Sequence, residues 1–352
     1  MCAIMNDAHK ISKDPTSAAQ SKGLAIGGLR TANCVLLAPM SGVTDLPFRR
    51  IAARFGAGLV VSEMVASEAL VDGDPETTLR MEGAGIRPHV VQLAGREARW
   101  MAEGARRAEA SGAEMIDINM GCPSKRVTTG YSGSALMRDL DHAMTLIDAT
   151  VGATALPVTV KMRLGWDERS INAPELARRA QDAGVQMITV HGRTRCQFYK
   201  GAANWPAIRA VSEAVSIPVI ANGDCMDSRD AGRMLAQSGA DGVMIGRGAY
   251  GRPWIVGAVA DSLDGRPERE GPSGADLADL VVEHYQAMLA HYGTQLGLRC
   301  ARKHLGWYLD GVAEDAKPAP AHRKALLTCD EPATVERLAH SLFSDCTSRR
   351  AA

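Results

Sequence analysis

Short apolar runs recur along the chain between residues 34 and 246, and each ends at a polar residue or a glycine. The runs are rich in Val, Ile and Leu and are too short for buried helices, which predicts the strands of a buried parallel sheet. The eight runs are Cys34–Leu37, Leu59–Ser62, His89–Leu93, Met115–Asn119, Val158–Lys161, Met187–His191, Pro218–Asn222 and Gly242–Ile245.

Amphipathic stretches lie between most of these predicted strands, for example Arg96–Ala110, Ala173–Ala183 and Ser228–Gln237. Several of them are followed by a glycine, which is suited to ending a helix. Eight strands that alternate with helices over roughly 220 residues match an α/β TIM (β/α)8 barrel better than a doubly wound sheet, which usually has fewer strands. The predicted barrel domain covers residues 31–262.

Residues that are unusual in a buried strand are concentrated at the carboxyl ends of the predicted strands. In a TIM barrel these ends meet on one face, where active sites are built. The residues concerned are Pro39 and Met40, Glu63, Gln92, Asn119, Lys161, His191, Asn222, and Gly246 with Arg247.

The pattern changes on both sides of the barrel. The first residues are rich in Ala, Ser, Lys and Asp and lack an apolar run, so residues 1–30 are predicted to be a disordered tail. After the barrel, glycines and prolines mark a linker, and a small helical bundle is predicted over residues 273–346. Its first helix is predicted to begin at the capping pair Ser273 and Asp276, and a second helix is predicted from about Gln295 to Leu309.

The overall charge is balanced, with 40 Lys plus Arg and 40 Asp plus Glu, so a nucleic-acid partner would need a local basic patch. The 8 cysteines include no C-x-x-C pair and no His/Cys cluster with zinc spacing. This argues against a disulfide framework and a metal site and indicates the reducing cytoplasm. The sequence contains no uninterrupted apolar span of the length that predicts a membrane helix. We also expect a monomer.

Cys122 follows the fourth predicted strand in a turn bounded by Gly121 and Pro123. Its thiol is therefore expected at the barrel mouth, although most cysteines are simply small apolar residues. A nucleophilic role needs a paired histidine and a depressed pKa, whereas an acid role needs only a protonated thiol. The pattern alone leaves all three interpretations open.

Lys161 and His191 end two further predicted strands and bring two polar groups to the same face. Lys161 is compatible with a Schiff-base amine, with a fixed cation beside an electron-rich ring or phosphate, or with a structural ion pair. His191 is compatible with a ligand contact or with an ordinary buried histidine.

The loops after the seventh and eighth strands of a TIM barrel commonly hold a phosphate group. Here they read Asn222-Gly223-Asp224 and Gly246-Arg247-Gly248. Glycines allow close backbone approach and Arg247 supplies a charged donor, which favours a phosphorylated ligand. Gly246, Gly248 and Gly251 also spell G-x-G-x-x-G, but this strand ends the series instead of opening a dinucleotide-binding unit.

Three basic residues, Arg299, Arg302 and Lys303, lie three and four positions apart on one face of the second C-terminal helix, beside His304, Trp307 and Tyr308. Basic residues next to aromatic rings are suited to an RNA backbone with stacked bases. A solvated helix face explains the same stripe, and the sequence alone favours that simpler interpretation.

Together these segments resemble the tRNA-dihydrouridine synthases, and more closely their bacterial B-type branch. The resemblance covers about Cys34 to Trp254 and continues with less detail into the C-terminal helices. The motifs that carry it are Leu37–Asp45, Asp117–Pro123, Lys161–Arg163, His191–Arg195, Asn222–Asp224 and, near the end, Arg302–His304 before Trp307-Tyr308.

The resemblance implies a bound FMN whose ring lies near Pro39, Met40, Ser41, Gln92 and Lys161, with its phosphate at the Asn222–Asp224 and Gly246–Arg247 loops. It implies that NADPH or NADH reduces the flavin, that a hydride passes to C6 of uracil, and that Cys122 protonates C5. Lys161 and His191 would then hold the flavin and stabilise negative charge, and Asn119 would orient the base. The partner would be tRNA, contacted by Arg299, Arg302 and Lys303.

Three alternative functions share parts of this pattern. A flavin enzyme acting on a free pyrimidine would share the barrel but would not need the helical region. A Schiff-base lyase would use Lys161 without a flavin. An RNA-binding module without turnover would not need both Cys122 and Lys161.

Overall fold

The computed structural model describes residues 23–312 and 317–344. An antiparallel hairpin comes first, formed by β1 (Ala25–Ile26) and β2 (Leu29–Arg30). Eight parallel strands follow and close into a barrel in chain order, with the last strand paired to the first. They are β3 (Val35–Leu37), β4 (Leu59–Ala66), β5 (Val90–Ala94), β6 (Met115–Met120), β7 (Val158–Arg163), β8 (Ile188–His191), β9 (Val219–Asn222) and β10 (Gly242–Ile245).

The barrel helices lie between these strands and cover the outside of the ring. They are α1 (Leu46–Arg54), α2 (Ser67–Val71), α3 (Pro75–Met81), α4 (Ala98–Ala110), α5 (Lys125–Thr128), α6 (Leu140–Val151), α7 (Ala173–Asp182), α8 (Trp205–Ala214), α9 (Ser228–Ser238) and α10 (Ile255–Leu263). Two 3-10 turns, Gly133–Arg138 and Arg247–Ala249, follow β6 and β10. The predicted TIM barrel is therefore confirmed.

Each of the eight predicted strands is found, with ends that differ by a few residues. The largest difference is β4, which continues to Ala66 because its pairing with β5 shifts in register between Val61 and Met64. Such an irregularity lets a strand bend at a barrel rim. Here it carries Met64 and Ala66 onto the wall of the central cavity.

Alternation along the strands separates two apolar cores. Val35 and Leu37 face the surrounding helices, whereas Leu36 and Ala38 face the barrel interior. Successive side chains of a strand point to opposite faces, which explains this division. The interior core contains residues from several strands of the ring, including Leu59, Val90, Met115, Ile220 and Met244.

The hairpin closes the amino-terminal end of the barrel. Leu24 and Ile26 are buried in the interior core with Leu36, and Thr31 accepts a hydrogen bond from the backbone of Leu24 at 2.8 Å. The prediction of a disordered tail over residues 1–30 is therefore wrong for residues 23–30. These residues are ordered because Leu24 and Ile26 fill the open end of the ring. The rest of that predicted tail, residues 1–22, lies outside the described residues.

Four helices follow the barrel: α11 (Gly274–Tyr292), α12 (Thr294–Gly311), α13 (Pro320–Thr328) and α14 (Pro332–Ser344). An apolar stripe of α11 is buried and includes Leu277, Val281 and Met288. Ser273 stands at the N-cap of α11, but its side chain makes no capping hydrogen bond, so the capping-box prediction is wrong. Packing of the apolar stripe, rather than the cap, stabilises this helix.

Aromatic side chains dock these helices onto the barrel. Trp254 of the barrel joins the apolar core of the four helices. Trp307 stacks on Tyr250 with ring centroids 4.0 Å apart, and Arg54 pairs with Glu283 at 2.8 Å. The two parts thus share one continuous packed interface.

None of the helices within 23–312 and 317–344 is long and apolar enough to cross a membrane. The same residues contain no group of His, Cys, Asp and Glu side chains arranged to hold a metal ion.

Candidate active site

A cavity of about 880 Å³ opens at the carboxyl ends of the barrel strands. This volume lies within the range typical of small-molecule sites, roughly 300–1,000 Å³. Every residue that the sequence assigned to the cofactor, together with Cys122 and Asn119, borders it. Those residues are Pro39, Met40, Ser41, Gln92, Asn119, Cys122, Lys161, His191, Asn222, Gly223, Asp224, Gly246 and Arg247.

A chain of buried hydrogen bonds runs across the floor of this cavity. Thr159 Oγ1 donates to Asp117 Oδ1 at 2.6 Å, and Gln92 Nε2 donates to Asp117 Oδ2 at 2.7 Å. Asn119 Nδ2 then donates to Gln92 Oε1 at 2.8 Å. Because Asp117 can only accept when ionised, it fixes the orientation of both amides. Burial raises the pKa of Asp117 to about 6, and its two donors partly oppose that rise.

The same chain fixes the turn that carries Cys122. Asn119 Oδ1 accepts from the backbone N–H of Gly121 at 3.2 Å and of Cys122 at 3.0 Å. The Cys122 carbonyl accepts from the hydroxyl of Ser134 at 2.8 Å. Cys122 is partly exposed and borders the cavity, so its thiol is held at the mouth as predicted.

Arg163 clamps this turn to a neighbouring loop. Its guanidinium donates to the carbonyls of Gly121 at 2.8 Å, Thr194 at 2.9 Å and Phe198 at 2.8 Å, and the residue is only 1% exposed. Burial lowers the pKa of Arg163 to about 10. A buried arginine that satisfies three carbonyls makes the loops after β6 and β8 one rigid unit.

Lys161 lies beside Cys122 on the cavity wall. Its Nζ donates to Asn222 Oδ1 at 3.1 Å, and Asn222 in turn donates to the Met244 carbonyl at 2.7 Å. Burial first, and then the nearby Arg163, lower the pKa of Lys161 to about 8, while Asp117 and Cys122 act in the opposite direction. The ammonium keeps two more donors for a group in the cavity.

His191 is held as a neutral ring. Burial first, and then the positive charges of Arg163, Lys161 and Arg193, keep the pKa of His191 well below its ordinary value. Arg193 Nη1 lies 3.2 Å from His191 Nε2. Because a guanidinium can only donate, Nε2 is the acceptor and the proton of the ring sits on Nδ1.

The loops after β9 and β10 form a basic, glycine-lined end of the cavity. Gly223 and Asp224 have φ values of +118° and +57°. Among the described residues, no hydrogen-bond acceptor lies opposite their backbone N–H groups. Asp224 accepts from Arg193 and from Arg247, the latter at 3.0 Å. Consecutive free N–H groups beside an arginine form a concavity suited to an anion.

The predicted basic stripe of α12 is divided by the structure. Arg299 is exposed, but Arg302 forms an ion pair with Asp330. The Nζ of Lys303 lies against the barrel, close enough that a Cβ on Gly42 would be 3.2 Å from it. The three residues therefore do not form one open basic face.

The aromatic residues beside that stripe are also used internally. His304 and Tyr308 are buried, and Tyr308 lies 3.1 Å from His284 Nδ1. Trp307 is stacked on Tyr250. These rings pack within the protein and hold the helices on the barrel. The expectation that they stack on RNA bases is therefore wrong.

Three polar residues of the site lie within the sequence motifs, but the sequence analysis predicted no function for them. Asp117, Arg163 and Arg193 each lie two positions from an assigned residue, namely Asn119, Lys161 and His191. The two-residue period of a strand, or of its direct continuation, places such pairs on one face. That period was the signal by which they could have been found.

The family model for dihydrouridine synthases matches residues 36–342. The chain belongs to the dihydrouridine synthase family. It is 57% identical over 321 residues to a "Probable tRNA-dihydrouridine synthase" of Rhizobium leguminosarum bv. phaseoli, covering 91% of this chain and 98% of that protein. It is 48% identical over 286 residues to "tRNA-dihydrouridine synthase B" of Xanthomonas axonopodis pv. citri, covering 81% and 86%. These likenesses confirm the resemblance seen in the motifs.

Solved structures share the fold of this family member at low sequence identity. Histamine dehydrogenase from Rhizobium sp. 4-9 superposes with a TM-score of 0.55 and 14% identity, over 76% of this chain and 50% of that one. A 2-naphthoyl-CoA reductase gives a TM-score of 0.54 and 12% identity, over 70% and 52%. Both likenesses support the barrel architecture alone.

Proposed function

We propose that this chain reduces the C5–C6 double bond of uridine in tRNA to 5,6-dihydrouridine, with NADPH or NADH as electron donor. The observation that carries the proposal is the meeting of Cys122 and Lys161 on one cavity, which also has a glycine-lined end beside Arg247. The names of the relatives, which are 48–57% identical, point to the same reaction.

The donor set of the cavity fits FMN. The free N–H groups of Gly223 and Asp224 and the guanidinium of Arg247 suit its phosphate. The spare donors of Lys161 and the fixed amide of Gln92 suit the polar edge of its ring. When bound there, FMN would supply a two-electron carrier between the nicotinamide and C6 of uracil.

Cys122 supplies the proton in this proposal. Hydride addition at C6 leaves negative charge on C5 and O4, and the S–H of Cys122 breaks as its proton forms the new bond at C5. The thiolate is then protonated from water. The backbone around Cys122 is fixed by Asn119 and Arg163, which keeps the acid in position without a paired base.

The other polar side chains hold the reactants in place. Lys161 and the Nδ1–H of neutral His191 donate to the cofactor or to the developing enolate, which stabilises its charge. Asn119 uses one N–H for Gln92, and the second N–H is available to orient the uracil.

Uracil must leave the tRNA stack to reach the cavity floor, at a cost of order a few kcal/mol. Contacts to the RNA backbone offset that cost. Arg299 is exposed on α12 and serves this role, with Arg302 and Lys303 able to join it only by leaving their present partners. The substrate places the reaction in the cytoplasm.

Cys122→Ala tests the acid role. The variant should keep FMN content and tRNA affinity, because the Cys122 side chain makes no hydrogen bond to another described residue and only its backbone is held. It should lose dihydrouridine formation in an unmodified tRNA transcript. Loss of a general acid lowers the rate by about 10²–10⁴-fold. The measurement is dihydrouridine per tRNA against time, with flavin absorbance as the loading control.

Lys125→Ala alters an exposed residue next to the same turn and serves as the matched control for local disturbance. It leaves the acid in place, so turnover at saturating tRNA should persist. Wild-type rates in Cys122→Ala would remove the acid role. Absence of flavin from the wild-type protein would remove the proposed reaction itself.

A further inference from the structure

Positive charge at the barrel mouth is compensated unevenly. On the connections after β4 and β5, Arg80 pairs with Glu76 within α3, and Arg96 pairs with Glu97. On the loops after β6, β7 and β8, within the described part of the chain, no carboxylate lies at ion-pair distance from Arg126, Arg138 or Arg195. The connections after these strands, residues 121–139, 164–172 and 192–204, contain seven Lys and Arg against three Asp and Glu, so in a chain of zero net charge this side of the mouth has a local excess of cations.

Two of these arginines are ordered by aromatic rings instead of carboxylates. The guanidinium of Arg138 lies 4.6 Å from the ring centroid of Trp166, and that of Arg195 lies 4.7 Å from it. The guanidinium of Arg138 also lies 5.2 Å from the ring centroid of Tyr131. Cation–π contacts hold the guanidinium planes in place without neutralising their charge. The Nε of Arg195 is buried and has no hydrogen-bond partner among the described residues.

The same side of the mouth carries exposed aromatic rings. Tyr131 is 61% exposed and Phe198 is 44% exposed. Both have φ values of +55°, in the left-handed region that bulky residues rarely adopt. Strain of this kind persists where the surroundings enforce it and is concentrated at binding sites.

We propose that this surface binds the nucleotides next to the reduced uridine. The arginine–aromatic face consists of Arg126, Tyr131, Arg138, Trp166, Arg195 and Phe198. Tyr131 and Phe198 stack on flanking bases, and the arginines contact the phosphates between them.

Continuity with the cavity decides between RNA and other occupants. Arg126 and Phe198 border the cavity itself, so this face is continuous with the site of Cys122, and a chain that delivers its base there can lie along it. Uncompensated arginines with exposed rings match single-stranded RNA, which offers both phosphates and unstacked bases. The inference rests on the proposed function, and it moves the main RNA contact from α12 to the barrel.

The test measures the affinity of an unmodified tRNA transcript by fluorescence anisotropy at several salt concentrations. Tyr131→Ala should weaken binding roughly 5- to 100-fold, the loss expected for one stacked base. Arg138→Gln should lower the slope of log affinity against log salt by about one, whereas Arg138→Lys should retain that slope. Arg337→Gln is the matched control. It removes an exposed arginine of α14 that is not part of the arginine–aromatic face, and it should leave binding unchanged.

Neither Tyr131 nor Arg138 borders the cavity, so flavin content and NADPH oxidation without tRNA should match wild type and show that the variants are folded. Wild-type affinity in both Tyr131→Ala and Arg138→Gln would overturn the inference while leaving the reaction intact. A wild-type protein that binds the transcript through this face but forms no dihydrouridine would instead contradict the proposed function.

Discussion

The buried ammonium of Lys161 is suited to binding a ligand and does not stabilise the fold. Its pKa is lowered from 10.5 to about 8, because burial removes water from the ammonium. The protonated side chain therefore destabilises the fold at neutral pH and is retained at the cavity wall, where its charge can act on a ligand.

Lys161→Met should stabilise the cofactor-free protein at neutral pH. Removal of the buried charge contributes on the order of 3 kcal/mol, and loss of the hydrogen bond to Asn222 costs about 1 kcal/mol, which leaves a gain of about 2 kcal/mol. Between pH 8 and pH 10.5 the unfolded wild-type chain binds more protons at this site than the folded one, so wild-type stability rises with pH there. The advantage of the variant should shrink across that window.

Denaturant unfolding of both proteins at neutral pH and at about pH 9.5 measures this difference. Lys200→Met removes an exposed lysine and should change little at either pH. A less stable Lys161→Met protein at neutral pH would show that the ammonium is held by interactions that exceed its desolvation.

At the scale of elements, the loop between β9 and α9 depends on one glycine. Gly223 has a φ of +118°, and a Cβ there would lie 2.8 Å from Ala203 Cβ and 3.0 Å from the His191 ring. No side chain can be accommodated without moving either the loop after β8 or His191.

Gly223→Ala should therefore destabilise the protein by about 1–3 kcal/mol and lower its flavin content. Gly232→Ala is the matched control, because Gly232 lies inside α9 with no atom within 4 Å of an added Cβ. That change should stabilise the helix by roughly 0.5–1 kcal/mol. Melting temperature and flavin absorbance of both variants decide the matter, and equal flavin loading would show that the loop adapts.

The elements themselves were largely readable from the chain. The strands were found because short apolar runs with polar ends are typical of buried parallel strands, and the polar residues at the carboxyl ends followed from the same pattern. The hairpin was missed, because its two strands span only Ala25–Ile26 and Leu29–Arg30 and follow a polar leader. The pair Arg302–Asp330 joins residues 28 positions apart on different elements, and helical periodicity contains no information about such a partner.

The helical region and the barrel share one continuous packed interface, so we expect the whole molecule to unfold as one unit. Trp254 belongs to the helical core, and the Trp307 ring lies 4.0 Å from Tyr250 at an interplanar angle of 16°. Gly251 lies so close to Trp307 that an added Cβ would be 2.1 Å from the Trp307 carbonyl. Tyr292 extends the contact through a 3.2 Å hydrogen bond to Asp45.

Trp307→Ala should reduce the stability of the whole chain by about 2 kcal/mol, below the value for a fully buried tryptophan because the ring is only partly covered. Leu296→Ala, at an exposed position of the same helix that is 41% accessible, should change stability by less than about 0.5 kcal/mol. Circular dichroism and tryptophan fluorescence should give coincident transitions in wild type, since one cooperative unit unfolds at once. If the wild-type transitions separate, the helices and the barrel are independent units, and RNA contacts on the barrel face could then be studied without the C-terminal helices.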